Sequence, residues 1–225
     1  MSRVLVIGGS DQGRQALDVL QCAGQHEVVG VLDRGLPIGS EVNGHPVVGR
    51  DDELAAAAGL MRADAYLVAI GDNFTRGRIT GAARAACPDL ALVSAVHPAS
   101  VVSSSALVGA GAIVMASAVV SNGCVVGDGV LLGTKASLDH DCEVGAYASL
   151  APNVTTGGKV RVGAYTALLL SASVIHGVAI GAHAVVGAGA LVLDDLDDLV
   201  VAYGIPARVA RTRDEGEAYL SRITR

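Results

Sequence analysis

The longest regular pattern in the chain is a branched aliphatic residue at every sixth position from Val96 to Val192. Sixteen of these 17 positions hold Val, Leu or Ile, and the exception is Thr156. A second column of small or β-branched residues follows four residues later, and glycines recur every 18 residues from Gly109 to Gly181. A period of six within a superperiod of 18 fits neither a helix nor a hairpin sheet. It predicts a prism of stacked coils, each with three short parallel strands.

In such a prism the aliphatic column faces the axis, and the small residues fit where the walls converge. One coil cannot bury its own apolar side chains, so stability comes from stacking of neighbours about 4.8 Å apart. The composition agrees, because 51% of the 225 residues are hydrophobic and only 3% are aromatic. A generic β domain rich in Ala, Val and Gly is the alternative, and it does not account for the unbroken phase.

Residues 1–95 follow a different pattern, in which apolar runs alternate with amphipathic stretches. Strands are predicted over Arg3–Ile7, Glu27–Leu32 and Tyr66–Ile70, and helices over Arg14–Ala23, Asp51–Met61 and Phe74–Ala86. The order strand, turn, helix, strand indicates a parallel, Rossmann-like βαβ domain. Leu36–Gly49 predicts a loop. We therefore expect an α/β domain over 1–95, the prism over 96–200, and a tail over 201–225 with a short helix at Asp214–Ile223.

A glycine-rich turn, Gly8 to Gly13, joins the first strand to the first helix. The N-terminus of a helix after such a turn can bind phosphate. Asp33 follows Gly13 by 20 residues, where dinucleotide-binding folds place a ribose-binding acid. The spacing departs from G-x-G-x-x-G, and 95 residues make only half of a doubly wound fold, so NAD is not favoured. A nucleotide-type ligand is the favoured interpretation, and a purely structural turn is the alternative.

The triplet Asp139-His140-Asp141 interrupts coils of small and apolar residues. His140 lies two residues past the column position Leu138, which places it near a corner and pointing outwards. A carboxylate beside a histidine holds it in one tautomer and stabilises its charged form, as a general base requires. A surface histidine between two solubilising aspartates is the alternative, and the triplet alone does not separate the two.

Charge and cysteine content narrow the function classes. The net charge of −6, without a basic patch, does not indicate a nucleic-acid partner. The sequence predicts neither a signal peptide nor a membrane span, so we expect a cytoplasmic protein. The four cysteines form no C-x-x-C pair. Cys124 and Cys142 are 18 residues apart and are expected to be buried and reduced on adjacent coils, with a disulfide as the alternative.

These features resemble the hexapeptide-repeat acyltransferases, and within them the PglD-like sugar N-acetyltransferases that acetylate UDP-4-amino sugars and GDP-perosamine. The catalytic histidine of that group is followed by an acid and a cysteine, as in His140-Asp141-Cys142. The glycine turn, the acid that ends the second strand and an A-I-G-D-N run at Ala69–Asn73 also match. So does the C-terminal G-x-P-A-R of Gly204–Arg208. The resemblance covers nearly all of the chain.

The resemblance implies a left-handed parallel β-helix, acetyl-CoA as co-substrate and no metal. It implies acetylation of a nucleotide-linked amino sugar, at C4, by direct attack without an acyl-enzyme, with His140 as base and Asp141 orienting it. It also implies a homotrimer with active sites between subunits, in polysaccharide biosynthesis. The expected acetyl-CoA contacts are Ser149, Gly158, Leu170, Gly187 and Ala188. The expected nucleotide-sugar contacts are Gly9, Ser10, Gln12, Gly13, Asp33, Arg34, Gly71 and Asn73.

Two positions depart from the group, since Gln12 and Ser149 stand where relatives can have histidine. Three other functions remain open. They are O-acetylation of a sialic-acid-like sugar, a non-enzymatic nucleotide-sugar-binding scaffold, and hydration at a three-histidine zinc site. The zinc site would need His183 beside His140 and His176, although its place on the coil differs. The motifs fit UDP, GDP and dTDP sugars alike.

Overall fold

Hydrogen bonding divides residues 1–220, which the computed structural model describes, into an α/β domain and a parallel β prism. The helices are α1 Asp11–Ala23, α2 Leu54–Met61 and α3 Asn73–Ala86. The strands before the prism are β1 Ser2–Ile7, β2 His26–Leu32, β3 Glu41–Val42, β4 His45–Gly49, β5 Ala65–Val68 and β6 Ala91–Leu92. No helix in this part of the chain is both long and apolar enough to cross a bilayer.

The N-terminal sheet has the strand order β3-β4-β2-β1-β5-β6 and is parallel except for β3. All three predicted strands and all three predicted helices form, with ends shifted by up to three residues. The loop predicted over Leu36–Gly49 is wrong in part, because it contains the β3–β4 hairpin. Asn43 and Gly44 turn this hairpin with φ angles of 48° and 78°, and Asn-Gly is the pair that such two-residue turns prefer.

The prism is a left-handed parallel β-helix with three faces, and every coil contributes one two-residue strand to each face. Face 1 contains β7 Ala95–Val96, β10 Ile113–Val114, β13 Leu131–Leu132, β16 Ser149–Leu150, β19 Ala167–Leu168 and β22 Val185–Val186. Face 2 contains β8 Val101–Val102, β11 Val119–Val120, β14 Ser137–Leu138, β17 Thr155–Thr156, β20 Ser173–Val174 and β23 Leu191–Val192. Face 3 contains β9 Leu107–Val108, β12 Val125–Val126, β15 Glu143–Val144, β18 Arg161–Val162 and β21 Ala179–Ile180.

The aliphatic column fills the prism axis, as the six-residue period predicts, and it is buried from Val114 to Val192. The second column packs beside it, and its members Cys124 and Cys142 are buried free thiols. Burial raises the pKa of the Cys124 thiol, which suits a side chain that packs as a small hydrophobe.

The chain after the last coil closes the prism. β24 Val200–Gly204 pairs with β22 and extends face 1, and β25 Ala207–Thr212 returns antiparallel to it. Asp195 and Asp198 accept hydrogen bonds from backbone N–H groups of the last complete coil at 2.7 and 2.6 Å. These two residues of the acidic run 194–198 therefore cap that coil.

The helix predicted over Asp214–Ile223 does not form in its first seven residues. Residues 214–220 make turns and bends, and Gly216 adopts a φ of 74° that a right-handed helix excludes. The Arg213 guanidinium donates to the Glu217 carbonyl and holds this segment folded back. Residues 221–223 of the predicted helix lie outside the described residues.

The two domains meet where α3 packs on the corner between faces 3 and 1. Tyr147, Tyr165 and His183 occupy this corner at 18-residue intervals, and their rings stack with centroids 5.2 and 4.7 Å apart. Gly77 of α3 lies against the Tyr165 ring, where a Cβ would come within 2.5 Å of Cε1. Glycine at this position therefore lets the helix approach the prism closely.

Arg76 of α3 is buried at the contact between the two domains, with only 1% of the residue exposed. Its Nη1 donates to the carbonyls of Ile70 and Gly71 after β5, at 2.7 and 3.0 Å. Its Nε and Nη2 donate to the carbonyls of Gly129 and Tyr147 in two prism coils, at 2.8 and 2.9 Å. Burial lowers the pKa of Arg76 to about 10, and the carbonyl oxygens compensate for the lost hydration.

Candidate functional site

His140 lies at the corner between faces 2 and 3, in the turn from β14 to β15. Its Nδ1 is 2.9 Å from Asp141 Oδ2, so that Nδ1–H donates to the carboxylate and Nε2 keeps a free lone pair. Asp139 Oδ1 accepts from the His140 N–H at 2.8 Å, and Asp141 adopts a φ of 56°. The His140 and Asp141 side chains are about half exposed in the protomer. The pair has the geometry of an oriented general base.

The next coil supports the imidazole from below. Gly158 lies directly under the ring, and a Cβ there would come within 2.6 Å of Cε1 and closer still to Nε2 of His140. The Lys159 N–H donates to the His140 carbonyl at 2.8 Å. Gly158 was predicted to contact acetyl-CoA, and the structure places it against the candidate base.

A cavity of about 260 Å³ opens at the carboxyl ends of β1 and β2 in the N-terminal sheet, where open α/β sheets bind ligands. It includes three residues of the predicted nucleotide-sugar set, Ser10, Asp33 and Arg34. Its lining consists of Gly8, Ser10, Leu32, Asp33, Arg34, Asp51, Ile70, Thr75, Arg78 and Ile79. The sequence therefore predicted the side of the cavity formed by the residues after β1 and β2, and it missed the residues contributed by α3.

Hydrogen bonds organise the acidic side of this cavity. Asp33 Oδ2 accepts from the Gly9 N–H at 2.7 Å, and Oδ1 accepts from the Gly35 N–H at 2.8 Å. Arg34 forms an ion pair with Asp51 at 2.8 Å, and this carboxylate raises the pKa of Arg34. Both acids thus have partners in the protein.

Two features of the cavity remain available to an anion. Ser10 precedes α1 and makes no side-chain capping hydrogen bond, so its hydroxyl is not used by the helix. Arg78 is exposed, and no carboxylate among residues 1–220 lies within ion-pair distance of it. A helix N-terminus and a guanidinium that face one cavity suit a phosphate group.

Other residues of the predicted nucleotide-sugar set lie outside the cavity lining. Gly13 packs against the carbonyl of Gly8 and lets α1 approach β1. Asn73 is buried between the domains, and its amide nitrogen donates to the Tyr165 and Thr166 carbonyls, each at 3.1 Å. The Asn73 amide oxygen accepts from Arg76 at 2.8 Å. Asn73 thus joins the domains.

Gln12 and Gly71 lie together at the domain junction. A Cβ on Gly71 would be 3.9 Å from the Gln12 Cβ. The Gln12 amide nitrogen is buried and has no hydrogen-bond partner among the described residues. The Gly71 carbonyl accepts from Arg76 at 3.0 Å and from the Tyr219 hydroxyl at 3.4 Å.

The remaining predicted acetyl-CoA contacts lie away from the corner of His140. Leu170, Gly187 and Ala188 lie at the corner between faces 1 and 2, on the far side of face 2. Leu170 is 54% exposed, and Gly187 packs under Tyr203 of β24. These three residues and Gly158 therefore belong to two separate edges of one protomer.

Ser149, the last predicted acetyl-CoA contact, lies on face 1. It is 9% exposed, and its hydroxyl is 3.4 Å from the Tyr219 hydroxyl of the C-terminal segment. The C-terminal segment thus covers Ser149.

The three histidines considered for zinc do not converge. His176 shares the corner of His140 two coils further on, whereas His183 lies at the corner between faces 3 and 1, stacked on Tyr165. No group of three or more His, Cys, Asp or Glu side chains within residues 1–220 is arranged to hold a metal ion.

Known proteins share this two-domain fold. A family model described as the PglD N-terminal domain matches residues 3–82. The structure of PerB from Caulobacter crescentus with CoA and GDP-perosamine is 37% identical, with a TM-score of 0.86, and the match covers 94% of this chain and 98% of that one. A variant of perosamine N-acetyltransferase from the same organism, with one histidine replaced by asparagine, holds the same two ligands. It is 36% identical with a TM-score of 0.88 and the same coverage.

A second group of matches comes from Neisseria gonorrhoeae FA1090. The acetyltransferase domain of PglB, in complex with acetyl coenzyme A, is 32% identical with a TM-score of 0.86. That match covers 92% of this chain and 98% of the domain. A comparison with curated protein sequences gives no match.

Proposed function

Because the chain belongs to the PglD-like family of sugar N-acetyltransferases, we propose that it transfers an acetyl group from acetyl-CoA to the C4 amine of a nucleotide-linked amino-deoxysugar. The observation that carries this function is the His140–Asp141 pair, which leaves the imidazole Nε2 open at an exposed corner. The complexes of the relatives with CoA, acetyl-CoA and GDP-perosamine support the two substrate classes.

The proposed reaction is a direct attack of the neutral amine on the thioester carbonyl carbon. As the C–N bond forms, His140 Nε2 takes the proton that the amine loses, and Asp141 stabilises the imidazolium through Nδ1–H. The C–S bond then breaks, and the proton passes to the departing CoA sulfur, so that His140 ends neutral. A backbone N–H of the coil beneath the imidazole, near Gly158, is suited to stabilise the oxyanion.

The position of Cys142 supports a mechanism without an acyl-enzyme. Its thiol points into the prism, is fully buried, and lies 3.2 Å from the Gly157 carbonyl. A thiol enclosed in the prism core has no access to the thioester carbon of a bound acetyl-CoA. His140 therefore acts in this proposal as a base on the substrate amine.

We assign the nucleotide diphosphate to the 260 Å³ cavity. Two charged side chains of the cavity already have partners in the protein. Asp33 accepts a hydrogen bond from the glycine turn, and Arg34 forms an ion pair with Asp51. Ser10 and Arg78 are left to meet the negative charge of the diphosphate. The cavity does not select among UDP, GDP and dTDP.

The separation of the predicted acetyl-CoA contacts supports a trimer with shared active sites. Leu170 and Ala188 lie at one edge of face 2 and His140 at the other, so a neighbouring subunit can bring the second edge to the first. Three apolar residues on faces 2 and 3, the faces that meet at the His140 corner, are uncovered in the protomer: Val101, Leu107 and Val125, at 63%, 66% and 44% exposure. Exposed apolar patches of this kind mark association surfaces. Sedimentation equilibrium should give three times the protomer mass.

The reaction is tested by thiol release from acetyl-CoA with a panel of UDP-, GDP- and dTDP-linked 4-amino and 3-amino sugars, with sialic acid as the control acceptor. Turnover is expected with one 4-amino sugar, and the His140→Ala variant should lose it while remaining a folded trimer. Retained kcat/KM in that variant would remove His140 as the base.

Two other results would replace the proposed function with another. Release with sialic acid alone would indicate O-acetylation, and no release with any acceptor would favour a binding scaffold. The proposal includes a cytoplasmic location, because acetyl-CoA and nucleotide-linked sugars are made there.

A further inference from the structure

The aliphatic column contains one polar residue, and it lies directly beneath the turn that carries His140. Thr156 occupies the position that Val, Leu or Ile fills in the other coils, and it is 2% exposed. A hydroxyl in an apolar core destabilises the fold unless it has hydrogen-bond partners. The stability of the prism alone therefore does not explain threonine here.

The Thr156 hydroxyl contacts the turn on both sides of the catalytic pair. Its Oγ1 accepts from the Asp139 N–H at 3.3 Å and lies 3.5 Å from the Cys142 Sγ. Asp139 and Cys142 are the residues immediately before and after His140-Asp141. One side chain thus supports both ends of the four-residue turn.

The strand pairing is altered at the same place. On face 2 the residue after a strand normally donates to a backbone carbonyl of the next coil, as Ser121 does to Leu138 at 3.1 Å and Gly157 does to Val174 at 2.8 Å. At Asp139 the acceptor is instead the Thr156 side chain. β14 and β17 accordingly share one residue pair, whereas β17 and β20 share two. The side chain replaces a ladder bond and lets the turn depart from the regular coil.

The same segment sets the height of the imidazole, because Gly158 lies under its ring two residues after Thr156. We infer that Thr156 is a positioning residue for His140, an inference that rests on the acetyl transfer proposed above. Its hydroxyl holds the turn in the displaced geometry in which Nε2 faces the substrate and Nδ1–H faces Asp141. Thr156 touches no reacting atom and acts through His140.

Thr156→Val tests this directly, because valine keeps the shape of threonine and restores the apolar pattern of the column. The inference predicts an unchanged or higher melting temperature with kcat lowered about tenfold to a hundredfold, as expected for a small misplacement of a catalytic group. The KM values for acetyl-CoA and for the sugar nucleotide should stay as in the wild type. A kcat within about threefold of the wild type, well short of that range, would overturn it.

Thr166→Val is the matched control. Thr166 is also buried. Its hydroxyl donates to the Gly181 carbonyl at 2.6 Å and accepts from the Ala184 N–H at 3.0 Å, but it lies near the corner between faces 3 and 1, away from His140. This variant should lower the melting temperature and leave kcat unchanged. Equal losses of kcat in both variants would mean that any buried hydroxyl of the prism matters, and would refute a specific role.

A second pair keeps the test decisive if Thr156→Val fails to fold. Thr156→Ser retains the hydroxyl and Thr156→Ala removes it, at nearly the same volume. Serine should restore kcat and alanine should not, and equal kcat values would overturn the inference. Wild-type enzyme without turnover on any acceptor would instead remove the proposed function itself.

Discussion

Two corners of the prism carry ring side chains that recur at whole coils, two coils apart at one corner and one coil apart at the other, and use them differently. The corner between faces 2 and 3 has His140 and His176, and the corner between faces 3 and 1 has Tyr165 and His183. Both corners need residues with positive φ, such as Asp141 at 56° and His183 at 55°. The equivalent positions Asp141 and His183 thus belong to a candidate active site at one corner and to a docking surface at the other.

What covers each corner accounts for the difference. His183 stacks on Tyr165, which in turn packs under α3, and the His183 carbonyl accepts from Arg213 of the tail at 2.7 Å. His140 has one carboxylate partner and keeps Nε2 open. The repeat therefore supplies the positions, and the non-repeating parts of the chain decide which of them remain free for chemistry.

The largest expected effect is the loss of activity in His140→Ala, compared with His183→Ala. Removing a general base should lower kcat/KM by about 10²–10⁴-fold with the melting temperature unchanged. His183→Ala should instead lower the melting temperature, because it removes a stacked ring from the domain contact, and kcat should be retained. Acetylation kinetics and thermal unfolding of both variants make the comparison, and the reverse pattern would contradict it.

The next effect is on stability and concerns Arg76. Arg76→Ala removes the guanidinium from which four carbonyls at the domain contact accept hydrogen bonds, and it should lower the free energy of unfolding by about 2–4 kcal/mol. Arg84→Ala on the same helix is the control, since its ion pair with Asp128 at 2.7 Å is half exposed and contributes about 0–1 kcal/mol. Urea unfolding measures both, and equal losses would mean that Arg76 does not hold the domains together.

The sequence predicted the repeat and the corner of His140 because both depend only on spacing. A fixed period assigns every residue between Val96 and Val192 to a face or a corner, which also explains the position of Ser149. Nine residues after His140 is half a coil, so Ser149 lies on face 1. The same period could have predicted the stacking of Tyr147 on Tyr165, because the two aromatic residues are 18 positions apart in the sequence.

The domain contact could not be predicted in the same way. Arg76 bonds residues 53 and 71 positions away, and Asn73 bonds residues 92 and 93 positions away. These bonds depend on how the two domains pack, and no local pattern encodes that packing. For the same reason the sequence predicts a nucleotide-sugar contact at Asn73, whereas in the structure this residue joins the domains.

An intermediate effect distinguishes the two corners through a glycine at each. Gly158→Ala places a methyl group against the His140 ring and should lower kcat by about tenfold to a hundredfold through displacement of the imidazole. Gly77→Ala places one against the Tyr165 ring and should lower stability at unchanged kcat. Kinetics and unfolding of the two variants measure this, and a loss of kcat in Gly77→Ala would show that the corners are coupled.

The smallest expected effect concerns the cation of the nucleotide cavity. Arg78→Gln removes a charge that has no carboxylate partner among residues 1–220, so it should cost one charge-assisted hydrogen bond to the diphosphate. That corresponds to about a tenfold rise in KM for the sugar nucleotide, with the KM for acetyl-CoA unchanged. Arg14→Gln, an exposed change on α1 outside the cavity lining, should alter neither constant.

Two outcomes would change this interpretation of Arg78. If both variants raised the sugar-nucleotide KM equally, the effect would come from the overall charge of the domain. An unchanged KM in Arg78→Gln would mean that the diphosphate relies on Ser10 and the N-terminus of α1, the part of the cavity that the glycine turn had indicated.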